Sequence, residues 1–409
     1  MKRVGVESIN LYGTSMFLDQ KRLATARGKD PQKVVSDFLI DTRSLNPPWE
    51  DTVTMGANAA FPLVTEELKN EIGLLVVGTE GSVDFGKPIS TNIHQALDLP
   101  HEVRNYEAKF ACYSGVAGLD AAVNWVAAGL NKGKKALVIA SDFSRKHFNL
   151  KEEFVMGGLA VAMVVSENPR IVEFEPERKG SWTVDAYDTF RPSATAEVGN
   201  NEVSLYTYMD CLEGAYNAYV AESGGNVDFD TDFGSFVYHT PFPGMAFQAH
   251  RTLCNITSPR KKPEVKADFE KRVYPALRYS RRVGSTYGTS TFTGIASLFS
   301  GDTPPAPGSR IAFFAYGSGA IGEFYSGTAV EGGEKIVKSM NIDAQLDERR
   351  EVSVEEYELV ENVREGQIEN PNFSPDFSIL DGWYDKYYKG SGKLVLKEVK
   401  DYYRTYERA

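Results

Sequence analysis

The chain has 409 residues, of which 42% are hydrophobic and 25% charged, and its formal net charge is −11. This length predicts two or three domain-sized units around a large buried core. The acidic balance argues against a nucleic-acid-binding protein, which would present a basic surface. The sequence also lacks the ~18 consecutive apolar residues of a transmembrane helix and the apolar core of a signal peptide. We therefore expect a cytoplasmic protein that binds neither nucleic acid nor membranes.

The first half of the chain combines predicted strands with a predicted helix. Its short apolar runs are typical of buried strands, and they are VGVESINLYG (4–13), GLLVVGTE (73–80), KALVIASDFS (135–144) and LAVAMVVSENP (159–169). Between the second and third runs, CYSGVAGLDAAVNWVAAGL (112–130) has helical spacing with apolar residues on nearly all sides. A helix of this kind is buried between other layers of the protein.

The second half repeats this order in outline. Its predicted elements are RIVEFEPER (170–178), the helical run SLYTYMDCLEGAYNAYVAESG (204–224), FGSFVYHTP (233–241), RIAFFAYGSGA (310–320) and FYSGTAV (324–330). In this comparison FGSFVYHTP corresponds to GLLVVGTE, and RIAFFAYGSGA corresponds to KALVIASDFS. The repeated alternation of strand and helix predicts two similar α/β halves, over residues 1–169 and 170–332.

The remaining residues, 333–409, differ in character from the two halves. They begin with a charged, helix-prone stretch and end in a tail rich in Tyr and Lys. Within that tail the run KGSGK (389–393) suits the turn of a β-hairpin. We predict that this segment is appended to the core and packs on it.

Cys112 stands at the entrance of the predicted buried helix. It is one of three cysteines, with Cys211 and Cys254, that form no CxxC pair, and their odd number and wide spacing fit a reducing compartment. The amides and dipole of a helix N-terminus would favour a thiolate, lowering the thiol pKa and making the sulfur nucleophilic. The alternative is a packed core cysteine, since free cysteine is among the most buried residue types.

Two other chemically capable side chains follow predicted strands. Glu80 closes GLLVVGTE at the carboxyl end of its strand, where open α/β sheets place their ligands. In an apolar pocket its pKa would rise, which suits proton transfer near neutrality; otherwise it is a solvated strand-end charge. His239 holds the equivalent position in the second half, where it could donate a hydrogen bond to a developing oxyanion or serve as a structural donor.

The remaining histidines give weaker signals. His250 lies a few residues beyond His239, on the helix that follows it, and is a lesser candidate for the same site. His94, His101 and His147 lie in polar surroundings without the ligand clusters of a metal site. We therefore predict no metal centre.

Four motifs together resemble the 3-hydroxy-3-methylglutaryl-CoA synthase family, a branch of the thiolase superfamily. They are GTEGSVDFGKPISTNIH (78–94), YEAKFACYSGVAGL (106–119), YHTPFPGM (238–245) and AYGSGAIGEFYSG (315–327). The resemblance covers nearly the whole chain. It implies an α/β fold of the thiolase type, duplicated in five α/β/α/β/α layers, and a homodimer.

The resemblance also implies roles for individual residues. Cys112 would be the acyl-carrying nucleophile, Glu80 the general acid/base that removes a proton from the acetyl methyl group, and His239 the group that positions and polarises the acceptor. Further substrate contacts are predicted for residues at or near family motifs, namely Ser285, Tyr316, Ser318 and His250. The family usually has asparagine where RRVGSTYGTS places Ser285, which predicts a different acceptor geometry because serine is shorter and lacks the amide.

The sequence around these motifs is most similar to the synthases that install β-branches in polyketides. The segments VDFGKPISTNIH, DTFRPSATAEVGNNEVSLYTYMD and HTPFPGMAFQAHR carry this similarity, and PGMAFQAH lacks the lysines that primary-metabolism enzymes usually have there. The resemblance implies condensation of an acetyl group with a polyketide β-ketone, with both substrates on acyl carrier proteins and no cofactor beyond the phosphopantetheine arm. The alternatives are a primary HMG-CoA synthase acting on CoA thioesters and a catalytically silent docking protein.

A carrier protein presents an acidic helix, so its docking requires a local basic patch. The predicted patch consists of Arg251, Arg260, Lys261 and Lys262, together with Lys266 nearby. A second candidate is the basic run QKRLATARGKDPQK near the N-terminus. Surface lysine clusters are usually solvated faces, which is the alternative for both runs.

Overall fold

The structure is a computed structural model that describes residues 2–409. Its strands are β1 (Gly5–Tyr12), β2 (Met16–Asp19), β3 (Thr42–Leu45), β4 (Ile72–Gly78), β5 (Arg104–Ala108), β6 (Lys135–Phe143), β7 (Gly158–Ser166), β8 (Val172–Thr183), β9 (Thr189–Phe190), β10 (Val198–Gly199), β11 (Ser235–Tyr238), β12 (Arg310–Gly317), β13 (Ile321–Ala329), β14 (Arg350–Glu351), β15 (Leu394–Lys400) and β16 (Tyr403–Arg408).

The α-helices confirm the mixed α/β character predicted from the sequence. They are α1 (Gln20–Ala26), α2 (Pro31–Phe38), α3 (Thr52–Ala60), α4 (Glu66–Glu71), α5 (Ile89–Ala96), α6 (Ser114–Ala127), α7 (Asn201–Glu222), α8 (Met245–Thr257), α9 (Lys262–Arg272), α10 (Ser280–Val283), α11 (Ser290–Ser300), α12 (Gly333–Ser339), α13 (Ile342–Asp347), α14 (Val354–Gln367) and α15 (Trp383–Tyr387). Across residues 2–409, none of them is both long and apolar enough to span a bilayer.

Nine strands form one sheet in the order β11-β12-β13-β8-β1-β7-β6-β4-β5. In its first part β4 and β6 are parallel, and β6, β7 and β1 are antiparallel neighbours. In its second part β11 and β12 are parallel, and β12, β13 and β8 are antiparallel neighbours. The two parts therefore share one topology, in which β4 corresponds to β11 and β6 to β12. The residue boundaries proposed for the two halves stay a prediction.

Alternation of side chains along the strands builds five layers. In β4, Val76 enters a central apolar cluster with α6 and α11, whereas Leu75 enters a cluster with α3 and α5. In β11, Val237 joins the same central cluster, whereas Phe236 joins a cluster with α7 and α8. Successive strand residues point to opposite faces, so each half of the sheet lies between two helical layers. The result is the predicted α/β/α/β/α arrangement.

Close backbone contacts fix the start of α6. A Cβ atom added at Gly115 would lie 2.3 Å from the carbonyl oxygen of Gly288, and one added at Gly78 would lie 2.5 Å from that of Ser114. Glycine is thus required where the helix meets the end of β4 and the loop before α11. This packing places the residues just before α6 beside the carboxyl end of the parallel strands.

Within residues 333–409, Leu394 joins the apolar cluster of α3 and α5 and Trp383 joins a cluster with β2, but the hairpin forms elsewhere than predicted. β15 and β16 are joined through Asp401 and Tyr402, whose φ angles are 49° and 68°. Two successive positive φ values are typical of a two-residue hairpin turn. The run KGSGK instead precedes β15. Below this segment Glu50 accepts hydrogen bonds from the hydroxyl groups of Tyr12 and Tyr388, which connect β1 to the tail.

Candidate active site

The three predicted catalytic side chains each follow a strand of the large sheet. Glu80 lies two residues beyond β4, Cys112 lies between β5 and α6, and His239 directly follows β11. The Sγ of Cys112 donates a hydrogen bond to Oε2 of Glu80 over 3.6 Å. Tyr316 brings the second half to the same place, because its ring centroid lies 6.2 Å from that of His239 and the adjoining Gly317 packs against the backbone beside Cys112.

Cys112 is held in a tight turn ahead of α6. The preceding Ala111 has a left-handed φ of 39°, and the amide of Tyr113 donates to the carbonyl of Phe110 at 2.9 Å. Burial raises the pKa of the Cys112 thiol well above its ordinary value, and the neighbouring carboxylate of Glu80 adds to this shift. The prediction of a lowered thiol pKa is therefore wrong. The resting sulfur is a thiol that donates to Glu80.

Glu80 has the proton affinity of a base that works near neutrality. Burial raises its pKa to about 7, while the guanidinium of Arg191 opposes the rise and the carboxylates of Asp142 and Glu197 add to it. Arg191 Nε lies 3.2 Å from Oε1 of Glu80. The two carboxylate oxygens of Glu80 therefore face a cation on one side and the Cys112 thiol on the other.

Asp142, near the end of β6, organises the turn that carries Glu80. Its Oδ1 accepts from the hydroxyl of Thr79 at 2.9 Å and from the amides of Glu80 at 2.8 Å and Gly81 at 3.1 Å. Its Oδ2 accepts from the amide of Gly288 at 3.2 Å, which joins the first half to the loop before α11. Burial raises the pKa of Asp142 to about 6. Sequence reasoning missed this residue, although it closes an apolar run as Glu80 does.

Arg191 was also missed. It follows β9, and the short β9–β10 hairpin between β8 and α7 brings both Arg191 and Glu197 to the site. The Nη2 of Arg191 lies 2.8 Å from Oε2 of Glu197, and its guanidinium lies 5.3 Å from the ring centroid of Tyr287. One largely buried cation thus lies between two carboxylates. The segment DTFRPSATAEVGN carries part of the family similarity, but no motif within it assigns a role to this arginine.

His239 is buried and has one free ring nitrogen. Its Nδ1 lies 2.6 Å from Oγ of Ser290, the first residue of α11, and its backbone carbonyl accepts from the hydroxyl of Tyr208 at 2.7 Å. The Nε2 is buried and finds no hydrogen-bond partner among residues 2–409. Burial lowers the pKa of His239 to about 3, so the imidazole is neutral at physiological pH.

The structure brings some of the predicted substrate-contacting residues to this site. Tyr316 lies against His239, and its hydroxyl donates to Asp188 at 2.6 Å. Ser318 is half-buried in the turn that follows β12, where the next amide, of Gly319, also donates to Asp188 at 2.9 Å. Ser285 is buried in the loop that leads to Gly288, and its amide donates to the carbonyl of Val155 at 2.7 Å. Substrate contact by these residues stays a prediction.

His250 lies apart from this group, in the outer helical layer. Its Nδ1 meets the hydroxyl of Tyr238 at 3.0 Å and its Nε2 meets Oδ2 of Asp268 at 2.9 Å, so both ring nitrogens are occupied. Cys254 completes a group with the spacing of metal ligands. However, Asp268 is already ion-paired with the two guanidinium groups of Arg260 and Arg272. Because these two cations already neutralise the Asp268 carboxylate, little negative charge is left to attract a metal ion.

The predicted basic patch is divided. Arg251, Lys261 and Lys262 are exposed to solvent. Arg260 instead forms ion pairs with Asp230 and Asp268, and its side chain is only 17% exposed. A docking role for the exposed members stays a prediction, whereas Arg260 has its charge matched within the chain.

Two family models match the chain. The N-terminal model of hydroxymethylglutaryl-coenzyme A synthase matches residues 1–169, and the C-terminal model matches residues 263–408. Together they include Glu80, Cys112 and the loop before α11, while His239 lies between them.

Similar proteins and structures cover the whole chain. The polyketide biosynthesis 3-hydroxy-3-methylglutaryl-ACP synthase PksG of Bacillus subtilis is 36% identical over 99% of this chain and 99% of its own. The crystal structure of the HMG synthase of the curacin biosynthetic pathway, in complex with acetyl donor-ACP, has a TM-score of 0.95 at 35% identity and covers 100% of both chains. MvaS in complex with 3-hydroxy-3-methylglutaryl coenzyme A has a TM-score of 0.88 at 31% identity, again over 100% of both chains.

Proposed function

Because the chain belongs to the hydroxymethylglutaryl-coenzyme A synthase family, as its four motifs predicted, we propose that it condenses an acetyl group with the β-ketone of a polyketide intermediate. Both reactants are delivered on the phosphopantetheine arms of acyl carrier proteins, one donor and one acceptor. The relatives PksG and the curacin HMG synthase support the carrier-bound form of the reaction. The observation that supports the chemistry is the contact between Cys112 and Glu80.

The first step transfers the acetyl group to Cys112. Glu80 accepts the thiol proton across their hydrogen bond as Sγ attacks the thioester carbonyl of the donor carrier. Backbone N–H groups at the turn before α6, including that of Cys112, stabilise the oxyanion. Collapse of the tetrahedral intermediate breaks the bond to the carrier sulfur, and Glu80 returns its proton to that leaving thiolate. The products are acetyl-Cys112 and the free donor carrier.

The second step forms the carbon–carbon bond. Ionised Glu80 removes a proton from the acetyl methyl group, and the resulting carbanion attacks the β-ketone carbon of the acceptor. A base with a pKa of about 7 suits this transfer near neutral pH. The ketone oxygen becomes an alkoxide that the neutral His239 imidazole stabilises as a hydrogen-bond donor, and the proton that Glu80 took from the methyl group passes to this oxygen. Water then cleaves the thioester to Cys112, releasing a 3-hydroxy-3-carboxymethyl product on its carrier and restoring the thiol.

The second candidate is the primary reaction of acetyl-CoA with acetoacetyl-CoA, favoured by the similarity to MvaS. Intact-protein mass spectrometry separates the two candidates, with acetyl-carrier protein and acetyl-CoA offered separately to the wild-type protein. We expect a gain of one acetyl group from the carrier at a rate well above that from CoA, and no gain in Cys112→Ser. Equal or faster acetylation by CoA alone would overturn the carrier-bound form. An unacetylated wild type would instead support a silent docking protein.

The proposal includes a homodimer in the cytoplasm. β5 pairs with β4 on one side, and its other edge has no strand partner within residues 2–409. Beside that edge, Phe110 exposes 36% of its surface. An open strand edge is a ready template for pairing with another chain. Light scattering of the purified protein measures the oligomeric state directly, and we expect twice the mass of one chain.

A further inference from the structure

We propose that Ser290 is a positioning residue that fixes His239 as the neutral tautomer with its proton on Nε2. The tautomer is assigned from the geometry alone, and only its effect on the condensation step rests on the proposed function. The imidazole and the hydroxyl meet at 2.6 Å between Nδ1 and Oγ. In a neutral imidazole one nitrogen carries the proton and the other accepts a hydrogen bond, so the partner of Nδ1 decides which nitrogen is free to donate.

The surroundings of Ser290 indicate the direction of this hydrogen bond. Within the described part of the chain, Oγ of Ser290 has no hydrogen-bond partner other than Nδ1 of His239. The neighbouring hydroxyls on the same helix are engaged differently, because Thr293 donates to the carbonyl of Thr289 and Ser297 to that of Thr293. If Ser290 donates to Nδ1, its own proton is satisfied. If it only accepted, that proton would be buried without an acceptor.

The other ring nitrogen agrees with this assignment. The Nε2 of His239 is buried and has no partner in residues 2–409. A buried N–H without a partner is costly, so its presence in a native site calls for a group that arrives with the substrate. The alkoxide formed from the acceptor ketone is such a group. Ser290 also begins α11, an 11-residue helix whose positive end opposes a charged imidazolium. His239 therefore acts as a neutral hydrogen-bond donor through Nε2.

The second step shows what this positioning contributes. The acetylation of Cys112 does not involve the acceptor ketone, so it proceeds without the Nε2 proton. Condensation places negative charge on the acceptor oxygen, and a donor already oriented toward that oxygen stabilises the transition state. With the tautomers free to exchange, part of the enzyme would present a bare Nε2 lone pair to the alkoxide. Ser290 thus affects condensation and spares acetylation.

The decisive measurement is the tautomer itself. In protein labelled with ¹⁵N-histidine, two-bond ¹H–¹⁵N correlations distinguish an Nε2–H from an Nδ1–H imidazole, and loss of one signal in His239→Gln assigns it. We expect wild-type His239 to be the Nε2–H form from pH 6 to pH 9. We expect Ser290→Ala to lose that single form, Ser290→Thr to regain it, and Ser297→Ala, a matched serine of the same helix, to keep it. An Nδ1–H form or an imidazolium in the wild type would overturn the proposal.

Kinetics test the consequence separately. In Ser290→Ala we expect condensation to fall about 10- to 100-fold, up to the loss typical of one misplaced oxyanion donor, while the rate of Cys112 acetylation stays within about twofold. Ser290→Thr should restore condensation. An Ser290→Ala variant that condenses at the wild-type rate refutes the positioning role. The NMR measurement needs no substrate, so it decides the tautomer independently of the reaction. If the wild type fails to join the two carrier-bound substrates, only the proposed function is overturned.

Discussion

Replacing Arg191 with glutamine should move the pH dependence of Cys112 acetylation to higher pH. The Arg191 guanidinium is 3.2 Å from Glu80 and 2.8 Å from Glu197, and it is the cation that opposes the effect of burial on the pKa of Glu80. Its loss removes that attraction and leaves Glu197 as an unbalanced anion nearby. Both changes raise the pKa of Glu80 above its value of about 7.

The magnitude follows from the usual effect of a nearby opposite charge. A cation at this distance lowers a carboxyl pKa by about 1–3 units, so its removal raises the pKa by a similar amount. Glu80 must be ionised to accept the thiol proton. With a rise of about two units, its ionised fraction at pH 7 falls from about one half to about 1%, which slows acetylation about 50-fold. The rate should recover toward pH 9.

The assay is single-turnover acetylation of Cys112 followed by mass spectrometry between pH 6 and pH 9.5. Arg191→Lys keeps a cation and should shift the acidic limb less than Arg191→Gln. Arg310→Gln is the matched control, because it breaks an ion pair of 2.9 Å with Glu175 away from the site and should leave the limb in place. If Arg191→Gln lowers the rate equally at every pH, or moves the limb to lower pH, Arg191 does not set the protonation of Glu80.

Two further predictions concern stability. Burial raises the pKa of Glu50 from 4.5 to about 7, so the folded chain binds the Glu50 proton more tightly than the unfolded chain does. The resulting contribution to the free energy of unfolding is fully present below pH 4.5 and is lost as the pH rises through 7. The change in the free energy of unfolding caused by Glu50→Gln should therefore be more favourable at pH 8 than at pH 5, by up to about 3 kcal/mol. Urea titrations that show the same change at both pH values would contradict this. Gly115→Ala, whose Cβ would lie 2.3 Å from the Gly288 carbonyl oxygen, should cost about 1–3 kcal/mol by overpacking. Gly366→Ala, in α14 with nothing within 4 Å, should gain roughly 0.5–1 kcal/mol, and a loss in Gly366→Ala equal to that in Gly115→Ala would refute the packing argument.

The site residues that directly follow strands could be predicted from the sequence. Glu80 and His239 close apolar runs that occupy the same place in two repeated halves, so each lies at the carboxyl end of the corresponding parallel strand of its own half. The alternation of side chains along a strand explains why His250 does not lie at the site of His239. Successive residues of a strand point to opposite faces, so Tyr238 enters the outer layer while His239 turns away from it, and His250 packs against Tyr238. Closeness in sequence to His239 therefore did not bring His250 to the same face.

Arg191 could not be predicted in this way. It lies in an irregular connection between β8 and α7, where neither helical nor strand periodicity indicates a direction for the side chain. Its position depends on tertiary contacts, above all on Asp188, whose carboxylate ties the base of the β9–β10 hairpin to Tyr316 and Gly319. The hairpin in turn carries Glu197. Such a group becomes visible only when the two halves of the fold are assembled.

The error over the Cys112 pKa shows which physical effect governs the site. A helix N-terminus contributes about 0.3–1 kcal/mol to a nearby anion and up to about 2 kcal/mol in partly buried geometries, whereas burial shifts a pKa by up to about 3–5 units, and each unit corresponds to about 1.4 kcal/mol. Burial therefore prevails, and Glu80 adds a like charge against the thiolate. A resting thiolate would be open to oxidation. A thiol that loses its proton to Glu80 only as the thioester arrives is protected until the nucleophile is needed, and the same carboxylate is then in place to take the methyl proton of the bound acetyl group.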